Sequence, residues 1–234
     1  MPADDEGREE GDPWRARFCK SLKEGMGKDA VNMIVLPELS SFPENSWGNV
    51  HWTASVLRRM DKLILKEERE EVLMRCAHYL QESEIAPLRD FYAEGKDIPK
   101  LMEFWQERFI AGLKQKYNPM PKQWLATVQK QHWGPVGVYR RRSVQVTKLP
   151  TDLRAYFNAH SDGEKRCAYC HCARIKATFE KGGERISPTY CCCGAGFYKS
   201  NWERILGRPV KVKLQKSLLN GDEVCQFLID VSED

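Results

Sequence analysis

The C-terminal stretch at residues 196–231, GFYKSNWERILGRPVKVKLQKSLLNGDEVCQFLIDV, decides the fold. Its opening part predicts a short helix over 196–206, because apolar side chains recur there every three or four residues. Gly207 suits the left-handed cap that ends such a helix, and Pro209 prevents its continuation. We therefore expect a helix followed by extended chain at this end of the protein.

A β-hairpin is expected after this helix. Residues 210–214 and 225–231 each alternate apolar with polar side chains, which is typical of half-buried strands. Asn220-Gly221 lies between them and is the strongest short signal for a tight hairpin turn. A two-residue turn there gives three apolar pairs: Leu214 with Phe227, Val212 with Ile229, and Val210 with Val231. Cys225 shares the parity of Phe227, so it is expected to point to the buried face.

The region at 14–121 is predicted to be helical. A helix is expected over 14–27, and the pattern is helical again from about 52 to 116, where apolar residues recur at helical spacing. One stripe there begins at 56–65, a second helix opens with the charged run at 66–71 and continues to 80, and two more helices are expected over 84–92 and 97–116. Asp97 is the expected N-cap of the last of these, with Pro99 in its first turn. The acidic segment 1–13 is expected to be a disordered tail, and 37–50 is expected to be a loop.

Residues 122–150 are predicted to be irregular or strand-like, with a hairpin or edge strand around Arg140–Arg142. Together with the C-terminal hairpin, this predicts an α+β fold: a helical N-terminal half and a C-terminal module of antiparallel sheet and helix. The expected divisions are a tail at 1–13, a helical region at 14–121 and a cysteine-rich α+β ligand-binding module at 122–234.

Composition argues against several classes of protein. The 234 residues carry 37 basic and 33 acidic side chains, and the net charge of +4 is too small to indicate nucleic acid or an anionic membrane surface. No apolar run approaches the roughly 18 residues of a membrane-spanning helix. The acidic N-terminus lacks the apolar core of a signal peptide, so we expect a cytoplasmic protein.

Nine cysteines dominate the chemistry that the sequence offers. Seven lie between residues 167 and 225, and six of these form the clusters Cys167-Ala168-Tyr169-Cys170-His171-Cys172 and Tyr190-Cys191-Cys192-Cys193. In a reducing compartment such clustering favours metal ligands or reactive thiols over disulfides. The Cys-x-x-Cys spacing suits zinc, although thiolates also suit iron and copper. The candidate metal ligands are Cys167, Cys170, Cys172, Cys191, Cys193 and Cys225.

Other chemistries fit the same residues. Cys193 precedes a predicted helix whose N–H groups and dipole favour a thiolate, so it is the candidate nucleophile of a cysteine-dependent hydrolase. His171 would relay the proton in that enzyme, and the amides of residues 194–196 would bind the oxyanion. A redox sensor, in which cysteines within a cluster oxidise reversibly, is a third alternative. The remaining cysteines are expected to be plain buried thiols: Cys19, Cys76 and Cys192.

The tail and the two clusters resemble known proteins. The residues Leu206-Gly207-Arg208, Val210, Val212, Gly221-Asp222 and Cys225-Gln226-Phe227 resemble the end of 4-vinyl-reductase-like domains. The clusters YCHC and CCCGAGFY are more similar to bacterial proteins related to L-2-amino-thiazoline-4-carboxylic acid hydrolase. The resemblance covers residues 165–231.

This resemblance implies an α+β module with a small-molecule pocket, often in a homodimer. In the relatives that sense aromatic compounds, zinc lies near the hairpin and is bound by three cysteines and one glutamate. Cys191 and Cys225 match two of those cysteines, whereas Ser217 and Leu214 replace the third cysteine and the glutamate, so zinc would need other ligands here. We therefore expect a small-molecule-binding protein with a cysteine-rich zinc site; the alternative is a cysteine-dependent hydrolase of a small C–N or C–S ring substrate. The residues expected to contact the ligand are Tyr190, Phe197 and Trp202.

Overall fold

The computed structural model describes residues 13–38, 46–179 and 183–232. Over these ranges the chain folds as two compact units. Unit 1 comprises Met1–Cys76 and Cys172–Cys193, and unit 2 comprises Ala77–His171 and Gly194–Asp234. These units do not follow the expected boundary at 121/122, because a segment from the second half of the chain belongs to the N-terminal unit. Residues 1–12 of the expected tail lie outside the described residues.

Helices account for most of the described structure, and four strands form one sheet. The helices are α1 (Pro13–Met26), α2 (Lys28–Ile34), α3 (Ser46–Leu63), α4 (Lys66–Met74), α5 (Glu82–Gly95), α6 (Ile98–Lys116), α7 (Lys122–Lys130), α8 (Leu153–Phe157), α9 (Asp162–Tyr169), α10 (Ala173–Lys176) and α11 (Cys192–Leu206). The strands are β1 (Val138–Arg140), β2 (Ser143–Thr147), β3 (Lys211–Lys216) and β4 (Gln226–Asp230). The predicted α+β fold class is confirmed. Among the described residues, no helix is both long enough and apolar enough to cross a membrane.

Unit 1 has an aromatic core between α1 and α3. Trp14 and Phe18 stack along α1 with ring centroids 5.3 Å apart, as expected for residues one helical turn apart. Trp52 of α3 meets Phe18 edge-on at 5.9 Å, and both rings are fully buried. The apolar stripe that predicts a helix over 14–27 is therefore the face that α1 buries.

Unit 2 contains the sheet, whose strands are all antiparallel in the order β1-β2-β4-β3. β1 and β2 form the hairpin predicted around Arg140–Arg142, and β2 then pairs with β4 along its whole length. Val144 and Val146 of β2 and Phe227 and Ile229 of β4 are buried. The alternation of buried and solvated side chains therefore places one face of the two central strands against the core of unit 2.

The C-terminal hairpin has the predicted register but a different turn. Its paired residues include Leu214 with Phe227 and Val212 with Ile229, as predicted. The two-residue turn is wrong, because β3 ends at Lys216 and β4 begins only at Gln226. A 3-10 turn at Leu218–Asn220 and the left-handed Gly221, with φ of 90°, form the connection. A bulge between Leu214 and Lys216 shifts the pairing of β3 with β4 by one residue next to this connection.

Three other predictions need correction. The loop expected over 37–50 ends earlier, because α3 begins at Ser46; residues 39–45 lie outside the described part of the chain. Residues 122–150 contain α7, whose Trp124 and Val128 are one turn apart and both buried. The helix expected over 196–206 begins four residues sooner, at Cys192. By contrast, Asp97 caps α6 as predicted, accepting a hydrogen bond from the Lys100 amide.

Candidate functional site

The six candidate metal cysteines are divided between the two units. Cys172, Cys191 and Cys193 belong to unit 1, and Cys167, Cys170 and Cys225 belong to unit 2. Within the described ranges, no group of three or more His, Cys, Asp or Glu side chains could hold a metal ion. The predicted set of ligands is therefore not assembled in the described residues, and zinc binding stays a prediction from the sequence.

In unit 1, Tyr190 of the second cluster contacts Cys172, the last residue of the first cluster. The Tyr190 hydroxyl lies 3.0 Å from the sulfur of Cys172, within hydrogen-bond distance, and its ring lies 4.8 Å from that of Trp14. Burial, followed by the charges that Cys172 and Cys193 would carry, raises the pKa of Tyr190 well above its ordinary value of 10.0. Tyr190 is thus a buried side chain in contact with a thiol, and it is only 4% exposed.

Two other cysteines of unit 1 are buried, as expected for plain thiols. Cys76 is fully buried and Cys192 is 4% exposed, whereas Cys19 is half-buried. Burial raises the pKa of Cys192 to about 12, and Glu70 and Cys193 add to this effect. Burial also raises the pKa of Cys76 far above its ordinary value. Both thiols therefore stay protonated at neutral pH and are poor nucleophiles.

The hydrolase proposed from the sequence would need Cys193 and His171, which belong to different units. Cys193 is half-buried and lies in the first turn of α11 rather than ahead of the helix. His171 lies 2.7 Å through its Nε2 from the carbonyl oxygen of Leu149. A carbonyl oxygen can only accept, so Nε2 carries a proton and donates it to this bond. The hydrolase stays a prediction.

In unit 2, Tyr169 connects the chain after β2 with the chain before β4. Its hydroxyl donates to the carbonyl oxygen of Lys148 at 2.8 Å and accepts from the amide of Cys225 at 3.0 Å. The amide of Lys148 also donates to the carbonyl oxygen of Cys225 at 3.0 Å. Tyr169 is 1% exposed, so these bonds form in a dry interior, where each is costly to lose. They hold Lys148 and Cys225 side by side.

The Lys148 side chain lies between two phenyl rings. Its Nζ atom is 5.9 Å from the ring centroid of Phe197 and 5.8 Å from that of Phe227, within range of a cation–π interaction. Gly194 makes room beside them, since a Cβ there would lie 2.8 Å from the Phe227 ring and 3.6 Å from Nζ. We call Lys148, Gly194, Phe197, Cys225 and Phe227 the Lys148 site.

The charge of the Lys148 site comes from one ammonium group. Burial raises the pKa of Cys225, and this effect outweighs the opposing influence of the Lys148 ammonium. Asp222 raises the same pKa a little further, and its carboxylate accepts the amide of Ser217 at 2.9 Å. The Cys225 thiol is therefore neutral at physiological pH, and Lys148 leaves the site positive.

The ligand contacts expected from the sequence have different environments. Phe197 is half-buried and belongs to the Lys148 site. Trp202 is fully buried, with its ring centroid 5.7 Å from that of Trp105, so it is a core residue of unit 2.

Cys225 lies just before β4 and is half-buried, so the prediction that it belongs to the return strand is wrong.

Lys148 was missed because its position depends on a long-range strand pairing. It follows Thr147, which pairs with Gln226, and that pairing places it next to Cys225. The alternation of valines predicts β2 but does not say which strand it joins. A prediction that β2 and β4 are neighbours would have found the residue.

No family model, curated protein or solved structure matches the chain. The resemblance to 4-vinyl-reductase-like domains and to relatives of the thiazoline hydrolase therefore stays a prediction.

Proposed function

We propose that the protein binds a small molecule and that unit 2 holds its anionic group at the Lys148 site. One observation carries this proposal. In the described residues the half-buried Lys148 ammonium faces two aromatic rings and has neither a hydrogen bond nor an ion pair. An ammonium group has three N–H donors, and aromatic faces replace only part of its hydration. A carboxylate or a similar anion would accept hydrogen bonds from it and pair with its charge.

The surroundings of the ammonium limit the class of ligand. Phe197 and Phe227 present apolar surface, which favours a ligand with a flat or apolar body beside its anionic group. The neutral Cys225 thiol adds a weak donor and a polarisable contact without cancelling the positive charge. We therefore propose a small aromatic or aliphatic carboxylate as the ligand class.

Benzoate is a suitable probe, with benzyl alcohol as its uncharged counterpart. We expect benzoate to bind the full-length protein with a Kd of about 1 mM or tighter, and Lys148→Met to weaken binding roughly tenfold, as loss of an anchoring ion pair predicts. Lys213→Met is the matched control, because Lys213 is an exposed lysine on β3. Nuclear magnetic resonance titration measures all three proteins under the same conditions.

Protection of Cys225 locates the bound probe. Benzoate at the Lys148 site should slow the alkylation of Cys225 by iodoacetamide, measured by peptide mass spectrometry at mildly alkaline pH. Equal affinity of benzoate for wild type and for Lys148→Met would refute the proposal. Equal binding of benzyl alcohol would refute the anionic ligand class.

A further inference from the structure

A cavity lies in unit 2 between α6, α7 and the chain that leads to β1. Its volume is about 450 Å³, within the range of about 300 to 1,000 Å³ that is usual for small-molecule sites. Gly137, with φ of 79°, turns the chain at its edge; a Cβ there would collide with the backbone of Gln145 in β2. We call this the α6–α7 cavity.

Two carboxylates on one face of α6 line the α6–α7 cavity. Glu103 and Glu107 are one helical turn apart, so both point to the same side. Neither has an ion-pair partner in the described residues. Like charges at this spacing repel each other and destabilise a helix, and a cation bound between them would relieve the repulsion. The carboxylates therefore favour a positively charged ligand.

A buried tryptophan forms another part of the lining. Trp133 is 6% exposed, and its ring is fixed by edge-on contacts with Tyr156 at 5.3 Å and Tyr169 at 6.4 Å. Its indole N–H has no hydrogen-bond acceptor in the part of the chain that the structure describes. The indole ring is the strongest aromatic partner for a cation, and its N–H is a hydrogen-bond donor. Both properties fit an occupant that carries a cationic group and a polar atom.

The remaining polar lining is neutral or weakly basic, and it suits an organic cation. Gln106 and Gln129 line the cavity as well, and each offers both a donor and an acceptor. His132 completes the polar lining, but Glu103, Glu107 and His132 do not form a group able to hold a metal ion within the described ranges. This lining therefore suits an organic cation better than a single metal ion.

We propose that the α6–α7 cavity binds a small organic ammonium compound. The ammonium group lies between Glu103 and Glu107, and the apolar body of the ligand lies against Trp133. This site shares no lining residue with the Lys148 site, and it takes a ligand of the opposite charge.

Benzylammonium is the probe, with benzyl alcohol as the uncharged comparison and benzoate as the comparison of opposite charge. We expect benzylammonium to bind the full-length protein with a Kd of about 1 mM or tighter and to shift the indole N–H resonance of Trp133, assigned from Trp133→Phe. Glu103→Gln and Glu107→Gln should each weaken binding about fivefold, as loss of one carboxylate from a solvent-accessible site predicts. Both glutamates are exposed, and glutamine has nearly the same side-chain volume, so the fold should be retained.

Two control variants separate this site from other parts of the protein. Glu94→Gln removes an exposed carboxylate from α5 and should leave the affinity for benzylammonium unchanged. Lys148→Met should also leave it unchanged, so failure here and failure at the Lys148 site are distinguishable. Equal affinity in Glu103→Gln, Glu107→Gln and wild type would overturn the proposal, as would binding of benzyl alcohol as tight as that of benzylammonium.

Discussion

Two segments of the chain share the pattern Tyr-Cys-x-Cys, at residues 169–172 and at residues 190–193. The tyrosine of the first segment makes both of its hydrogen bonds to backbone groups, and it holds two distant parts of unit 2 together. The tyrosine of the second segment has the thiol of Cys172 as its partner in unit 1. The same pattern therefore provides a structural clamp in one place and a contact between a buried phenol and a thiol in the other.

The backbone explains part of this difference. Cys170 and Cys172 both have extended dihedral angles. Cys191 ends a 3-10 turn and the next two cysteines begin α11, so successive side chains rotate by about 100° around the helix axis. Cys191 and Cys193 therefore do not share a face, as alternate residues of an extended chain would. A cluster in the sequence does not give a cluster of sulfur atoms when the backbone is helical.

Removal of the Tyr169 hydroxyl, in the first Tyr-Cys-x-Cys segment, should have the largest effect on stability. Tyr169→Phe leaves the Cys225 amide and the Lys148 carbonyl oxygen without their partner in a buried place, and each loss is costly. We expect the free energy of unfolding to fall by about 3 kcal/mol, measured by urea denaturation. Tyr156→Phe is the control: its half-buried phenol makes no hydrogen bond within the described residues, so a change within about 0.5 kcal/mol is expected. Equal losses in both variants would show that Tyr169 is not a clamp.

The second segment should also make the stability of the protein depend on pH, through Cys192. Burial raises the pKa of Cys192 to about 12 from its ordinary value of 9.0, so the folded protein holds this proton more tightly than the unfolded chain does. The resulting stabilisation is complete below pH 9 and is lost as the pH rises from about 9 to 12. One such proton adds a slope of up to about 1.4 kcal/mol per pH unit in that window.

Cys192→Ala tests this slope. Urea denaturation at several pH values between about 8 and about 10 should show that stability declines less steeply in the variant than in wild type. Other buried thiols and phenols titrate in both proteins, so the difference in slope isolates Cys192. Parallel curves would mean that Cys192 is accessible to solvent in the folded protein.

Local patterns predicted the parts of the fold that depend on neighbouring residues. The alternation in β3 and β4 sets the pairing of Leu214 with Phe227 even though the turn is different, because an apolar face specifies register independently of the connection. Gly207 adopts φ of 69° after α11, as a helix-ending glycine should. These features could be predicted because each depends on a short run of the sequence.

Long-range features could not be predicted in the same way. The pairing of β2 with β4 creates the Lys148 site, and nothing near Lys148 in the sequence indicates it. The α6–α7 cavity likewise requires α7, a helix of nine residues with only two buried side chains, which gives a short signal after Pro121. The cysteine clusters were conspicuous in the sequence, but their division between two units depends on tertiary contacts.

Removal of the Tyr190 hydroxyl, in the second Tyr-Cys-x-Cys segment, should have the smallest effect on stability. Tyr190→Phe removes the hydroxyl that lies 3.0 Å from the sulfur of Cys172, and it leaves the ring against Trp14. A thiol is a weak hydrogen-bonding group, so we expect a loss of only about 1 kcal/mol, clearly less than for Tyr169→Phe. A double-mutant cycle with Cys172→Ala gives the coupling between the two side chains, and a value of about 0.5 kcal/mol or more is expected for groups in direct contact. If the coupling is zero while the single variant is destabilised, the hydroxyl acts on some other group, and the contrast between the two Tyr-Cys-x-Cys segments loses its basis.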